Sequence, residues 1–309
     1  MSAERQTASA VLMIRPAHFG GNAETIGSNY FQSAAPAGGD AAAEAAQREF
    51  DALAARLGAA GVRVHAFSGQ PDALVPDEVF PNNWLSLHAD GAAVLYPLMA
   101  ESRRRERRPE LLDALQKQGS YRVERIVDLT HLEKHGKYLE GTGSLVLDRV
   151  HRIAYACRSP RTHPDALAEF ARELGYEIVA FEATDRDGHT IYHTNVLMSV
   201  GTSFAVICAN AIRDAAMRNR LLDRLRASRE VIDLNFDQLH AFAGNLLALA
   251  APDHEVIALS TTALASLDDT QAHVLETYAE LVAADIDTIQ TYGGGSVRCM
   301  LAEVHLPND

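Results

Sequence analysis

Residues 83–96 read Asn83-Trp84-Leu85-Ser86-Leu87, then Asp90-Gly91, then Ala93-Val94-Leu95-Tyr96. Two short apolar runs joined by an Asp-Gly turn predict a β-hairpin. The same form recurs along the chain. Ser144-Leu145-Val146-Leu147 precedes Ile153-Ala154-Tyr155-Ala156, and Asn195-Val196-Leu197-Met198-Ser199 precedes Phe204-Ala205-Val206-Ile207. Asn245-Leu246-Leu247-Ala248-Leu249 precedes Val256-Ile257-Ala258-Leu259. A fifth strand, residues 296–301, finds a partner in the N-terminal run Val11-Leu12-Met13-Ile14, which would join the two chain ends. Helix-periodic stretches alternate with these hairpins at 40–61, 106–119, 163–175, 211–228 and 268–284. Pro164 opens one of them, as proline does in a first helical turn.

Units recurring every 50 to 60 residues or so signal radial repetition. A doubly wound α/β sheet would instead alternate single strands with helices. The expected fold is therefore α/β, with five strand-and-helix units in pseudo-fivefold order around one axis. They form a single domain over residues 1–309, with residues 1–9 or so as a flexible tail.

The chain has 309 residues, 47% of them apolar, enough for a substantial core. Its net charge of -13 repels phosphate backbones, so nucleic acid is not an expected partner. Three cysteines, Cys157, Cys208 and Cys299, are too few and too widely spaced for a disulfide framework. No leader pattern opens the chain, and no apolar run is long enough to span a membrane. These features predict a cytoplasmic protein without membrane contact; homo-oligomeric assembly is the default expectation. The one basic run, residues 103–108, reads as a solvated helix face or as a segment that turns one arginine inward to hold a substrate carboxylate.

If the units are equivalent, the residues ahead of each first strand converge at one end of the axis. They are Pro81-Asn82-Asn83, Glu140-Gly141-Thr142-Gly143, His193-Thr194-Asn195, Gly244-Asn245 and Cys299. A thiol, an imidazole, a carboxylate and amides would then share one pocket: nucleophile, proton-transfer group and orienting acid. Cys157 and Cys208 lie in apolar runs and read as small buried hydrophobes.

Four phrases carry a family resemblance: Phe80-Pro81-Asn82-Asn83-Trp84, Leu139-Glu140-Gly141-Thr142-Gly143-Ser144, Tyr192-His193-Thr194-Asn195 and Gly293-Gly294-Gly295-Ser296-Val297-Arg298-Cys299-Met300. In this order they resemble the guanidino-group-modifying superfamily. It includes arginine deiminases, dimethylarginine hydrolases and amidinotransferases, and the nearest branch is the arginine-deiminase-related citrulline-utilisation hydrolases. The resemblance runs from Met13 to Glu303. It implies the five-bladed β/α propeller known as the pentein fold. It also implies Cys299 as covalent nucleophile, His193 as general acid and base, and Glu140 as the carboxylate that binds substrate nitrogen and positions His193. No metal and no organic cofactor is expected.

One departure narrows the substrate. Deiminases of the superfamily typically carry an Asp where Asn82-Asn83 stand here. A guanidinium only donates hydrogen bonds, whereas a ureido group also presents a carbonyl. An amide can donate to that carbonyl; a carboxylate there leaves it unmet, at about 1–3 kcal/mol. Asn82 and Asn83 thus fit a citrulline-like substrate, hydrolysed to ornithine, ammonia and carbon dioxide. Arginine deimination, arginine dihydrolysis and amidino transfer are the alternatives. Arg103 and Arg161 are expected to hold the substrate carboxylate, in competition with Arg15 and Arg158. Asn22 is expected to cover the pocket, and Gly294 to let backbone approach the substrate. His131 and His135 have zinc-like spacing, but Leu132 stands where a zincin carries Glu, and Gly136 follows, so the segment reads as a loop.

Overall fold

The computed structural model describes residues 4–33 and 40–308. Five three-stranded sheets make up the α/β architecture. In four of them the order is the same. A hairpin forms first, for example Leu85–Leu87 against Ala92–Leu95. A helical segment follows, and a third strand, here Arg125–Asp128, returns parallel to the second. Val146–Asp148, Ile153–Cys157 and Glu177–Phe181 repeat this, as do Met198–Val200, Phe204–Ile207 and Glu230–Asp233. The fourth set is Leu247–Ala250, Glu255–Ser260 and Glu280–Ala284.

The fifth sheet has the same pattern built from both ends of the chain. Ala302–Glu303 lies antiparallel to Ala10–Arg15, which pairs in parallel with Arg63–Ser68 beyond the helix Asp40–Ala59. The strand at the C-terminal end is therefore 302–303, not 296–301. Val297–Met300 forms a 3₁₀ turn instead.

The middle strand of every sheet is almost wholly buried, because it is paired on both edges and packed on both faces. The third strands are the ones sequence reading misses. Arg125, Asp128, Glu177, Glu230 and Asp233 give them a polar outer edge, so their apolar signal is weak. The stretch 268–284 accordingly splits into a helix, Asp269–Tyr278, and a third strand. The stretch 106–119 likewise reduces to the helix Glu110–Gly119, preceded by the turn Glu101–Arg104.

The first strands start later than expected. Short helical turns, Pro81–Asn83, Gly141–Ser144 and Thr194–Leu197, occupy the residues just ahead of them. These turns pack backbone to backbone. A Cβ on Gly141, whose φ is +48°, would fall 2.1 Å from the Asn82 carbonyl oxygen, so only glycine fits.

Residues 4–9 are not a loose tail; residues 1–3 of that expected tail lie outside the described residues. Gln6 is buried and donates to the carbonyls of Leu147 and Val200 at 2.9 and 3.1 Å, tying two neighbouring sheets. Ala8 bridges to Leu249. Among the described residues, no helix is long and apolar enough to cross a membrane.

Candidate active site

Cys299, His193, Asn83, Arg103 and Arg161 line one buried cavity, together with Asp77, Tyr192, the three glycines 293–295, and Thr25 and Asn29 from the segment 22–33. The pre-strand turns of different sheets thus supply the reactive side chains.

His193 and Glu140 form the inner pair. His193 Nε2 lies 2.9 Å from Glu140 Oε2, and both residues are buried. Burial raises the Glu140 carboxyl on its own, but the Arg161 charge, the His193 hydrogen bond and the Arg103 charge together hold it well below the usual range. Burial pushes His193 down to about 4, against the pull of Glu140, so the imidazole is neutral near pH 7. An ionised Glu140 requires a donor, which places the proton on Nε2 and leaves Nδ1 as a free base. Glu140 Oε1 accepts from Met99 N at 3.0 Å. Both of its oxygens are therefore engaged, and it stands behind His193, outside the cavity lining.

Asn83 is held by Arg103. Arg103 Nη1 donates to Asn83 Oδ1 at 2.9 Å, and Nε and Nη2 grip Glu106 at 2.8 and 2.9 Å. A guanidinium only donates, so Oδ1 must face it. Asn83 Nδ2 is then left buried without a partner. A Cβ built on Gly143 would sit 2.5 Å from this Nδ2 and 2.7 Å from His193 Nδ1 and Cε1. Gly143 therefore clears the space in which amide and imidazole meet. Arg103 of the basic run turns inward, only 3% exposed, but its guanidinium is engaged by Glu106 and Asn83 rather than left for the substrate carboxylate expected of it.

Arg161 is also buried. It reaches Glu140 Oε2 at 3.4 Å and Ser28 Oγ at 2.7 Å, and its Nε has no partner. Its competitors lie elsewhere: Arg15 pairs with Asp51 and Arg158 with Glu182, both on the surface. Asn82 is buried but does not line the cavity. Asn22 acts one step back, donating to Asp77 Oδ2 at 2.7 Å. Gly294 lines the cavity at φ +62°, with its own polar groups engaged: its N–H donates to Gln290 O, and its carbonyl accepts from Tyr192 Oη and Asn29 Nδ2.

Asp77 escaped sequence reading. It is buried, 3.6 Å from Arg103 Nε, with Oδ1 unpartnered. Burial raises its carboxyl against the Arg103 charge. Its only sequence signal is that it precedes the Phe80–Trp84 phrase in the same pre-strand segment. His131 and His135 are exposed in the 3₁₀ turn Thr130–His135, away from this cavity. Burial pushes the Cys157 and Cys208 thiols up to about 12 and about 11, and neither lines the cavity.

A family model described as N,N dimethylarginine dimethylhydrolase, eukaryotic, matches residues 15–306. No curated protein sequence matches significantly. Among solved structures, the chain is similar to ArgZ, an arginine dihydrolase of cyanobacteria, at 18% identity and TM-score 0.71 over 97% of this chain. The chain spans 41% of that protein's length. It covers 99% of the ArgZ N-terminal domain solved with substrate, with 96% of this chain aligned, TM-score 0.73 and 18% identity. A dimethylarginine dimethylaminohydrolase adduct with S-methyl-L-thiocitrulline is similar at TM-score 0.65 and 13% identity, over 96% of this chain and 99% of that one. At these identities the likeness shows the fold.

Proposed function

We propose, on the premise that the chain belongs to the N,N-dimethylarginine dimethylhydrolase family of eukaryotic type, that it is a cysteine-dependent hydrolase of guanidino and ureido amino acids. It takes arginine to citrulline, and citrulline to ornithine. The five sheets act as blades of a pseudo-fivefold β/α propeller, a reading supported by the antiparallel pairing of 302–303 with 10–15. Free thiols at all three cysteines suit a cytoplasmic setting.

The observation that carries the reading is the Asn83 amide. Its unpartnered Nδ2 is a donor, held there because Arg103 claims the oxygen. A donor suits a ureido oxygen and is wasted on a guanidinium, which has nothing to accept with. Arginine is supported by the surrounding charge. Three buried carboxylates, Asp77, Glu106 and Glu140, surround two guanidiniums, Arg103 and Arg161. Burial raises the Asp77 and Glu106 carboxyls, Glu106 to about 8, so a cationic substrate group beside them favours their ionised forms, as the cationic ends of arginine would. Arg161 Nε, buried and free, receives the α-carboxylate, and Asp77 Oδ1 receives the α-ammonium.

In the first half-reaction the Cys299 thiolate attacks the guanidino carbon. His193 Nδ1, unprotonated at rest, takes the Cys299 thiol proton as the thiolate forms and passes it to the departing ammonia. Water, deprotonated by the same nitrogen, then cleaves the S–C bond and releases citrulline. In the second, the thiolate attacks the ureido carbon, and ornithine leaves as the protonated amine. Hydrolysis of the S-carbamoyl group gives carbamate, which decomposes to ammonia and carbon dioxide. Two waters are consumed and two ammonia molecules appear per arginine. Ammonia counting tests this: two per arginine and one per citrulline are expected. One per arginine, with citrulline accumulating untouched, would make the protein a deiminase and overturn the ureido step.

A further inference from the structure

The buried charges beside the cavity do not balance. Arg103 faces three carboxylates: Glu106 at 2.8 and 2.9 Å, Asp77 at 3.6 Å and Glu140 at 3.5 Å. Arg161 faces one of the same three, Glu140, at 3.4 Å. All five residues are buried. Fully ionised, three carboxylates and two guanidiniums leave one negative charge uncompensated. The groups around them do not supply the missing cation. Tyr192 and Cys299 line the same cavity and can add only negative charge. Burial holds His193 neutral, at about 4. Asn22 gives Asp77 Oδ2 a neutral donor at 2.7 Å, and Glu78, next in the chain, is engaged by the N–H groups of Ala17 and Gln70. Asp77 Oδ1 meets no donor among the described residues.

A buried carboxylate without a compensating charge takes up a proton instead. Asp77 and Glu106 share Arg103, so they titrate as a pair. Burial raises both carboxyls, Glu106 to about 8. Substrate charge then decides whether the proton stays. Citrulline brings one ammonium and one carboxylate, which cancel. Arginine brings a guanidinium besides, and that charge completes the balance.

We propose that the Asp77–Glu106 pair is a proton store that fits one site to a charged and to a neutral substrate. It holds one proton in the empty site, releases it to solvent as arginine binds, and keeps it with citrulline bound. On release the carboxyl O–H bond breaks and its electron pair stays on oxygen. Once the guanidinium has become a ureido group and the ammonia has left with its proton, one proton returns from solvent. The inference rests on the reading that the site takes both arginine and citrulline.

The test is calorimetric titration of Cys299→Ser, which removes the thiol and stops turnover, in buffers of different ionisation enthalpy. Near pH 7, arginine is expected to release about one proton per site and citrulline only a small fraction of one. From pH 6 to pH 7 the affinity for arginine then rises about ten-fold, while that for citrulline stays within about two-fold. In Glu106→Gln on the same background, the release by arginine and its pH dependence are lost. The comparison of the two ligands is decisive even where that variant fails to fold. Equal release by both ligands, or none by arginine, would overturn the proton store and leave the hydrolase reading standing. Binding of neither ligand, with no ammonia from the wild type, would overturn that reading and the proton store together.

Discussion

Which of its two amide atoms Asn83 leaves free sets the chemistry of the pocket floor. Arg103 holds Oδ1 at 2.9 Å, so the free atom is a donor. Asn83→Asp keeps the shape and the Arg103 contact but puts an acceptor in place of that donor. Ureido turnover should fall at least 100-fold, equivalent to about 2.7 kcal/mol or more of lost transition-state stabilisation. Arginine should still be consumed, with citrulline accumulating in a chromatographic assay. Equal losses on arginine and citrulline would contradict this division of labour. Cys299, His193 and Glu140 were legible because reactive residue types fall at matching points of repeated units. Asp77 was not, because an isolated Asp carries no spacing signal and its burial arises only from tertiary packing. Asn195 and Asn245 were visible as motif residues, but their contacts to the Cys299 sulfur, across 104 and 54 positions, leave no local trace.

At the scale of elements, the hairpins were legible from apolar runs and the Asp90-Gly91 turn, and the helices from their period. Pro164 opens the helix Pro164–Leu174, and Gly175 at φ +69° closes it. The third strands were hidden by their polar edges, and the turn Thr194–Leu197 by Val196 and Leu197, apolar residues that serve a turn as well as a strand. One contact links the N-terminal helix to the arm that carries the nucleophile. Glu49, on the helix Asp40–Ala59, accepts from Thr288 N and Ile289 N at 2.9 Å each, capping the helix Asp287–Gly293. A carboxylate there satisfies two N–H groups and faces the positive helix end. Glu49→Ala should cost about 1 kcal/mol, read as a lower denaturant midpoint with unchanged slope. It should also slow turnover, because that helix leads directly into the glycines beside Cys299. Unchanged stability would show that the cap does not support the arm.

In the molecule as a whole, the repeat brings distant segments to one cavity, so no single sheet holds the site. The strands Ala10–Arg15 and Ala302–Glu303 share a sheet, and Gln6 ties two further sheets, so these near-terminal segments belong to the packed structure. The repeat was legible in the sequence. The exact joining strand, 302–303, was not, because two residues are too short to show a period. The central claim is that this arrangement makes a covalent intermediate on Cys299 with a ureido substrate. Acid-quenching the enzyme during citrulline turnover and weighing the Cys299 peptide tests it most directly. A carbamoyl group on Cys299, absent from Cys157 and Cys208 and absent in Cys299→Ser, is the predicted result. An unmodified Cys299 peptide during turnover, with Cys299→Ser still releasing ammonia from citrulline, would contradict it.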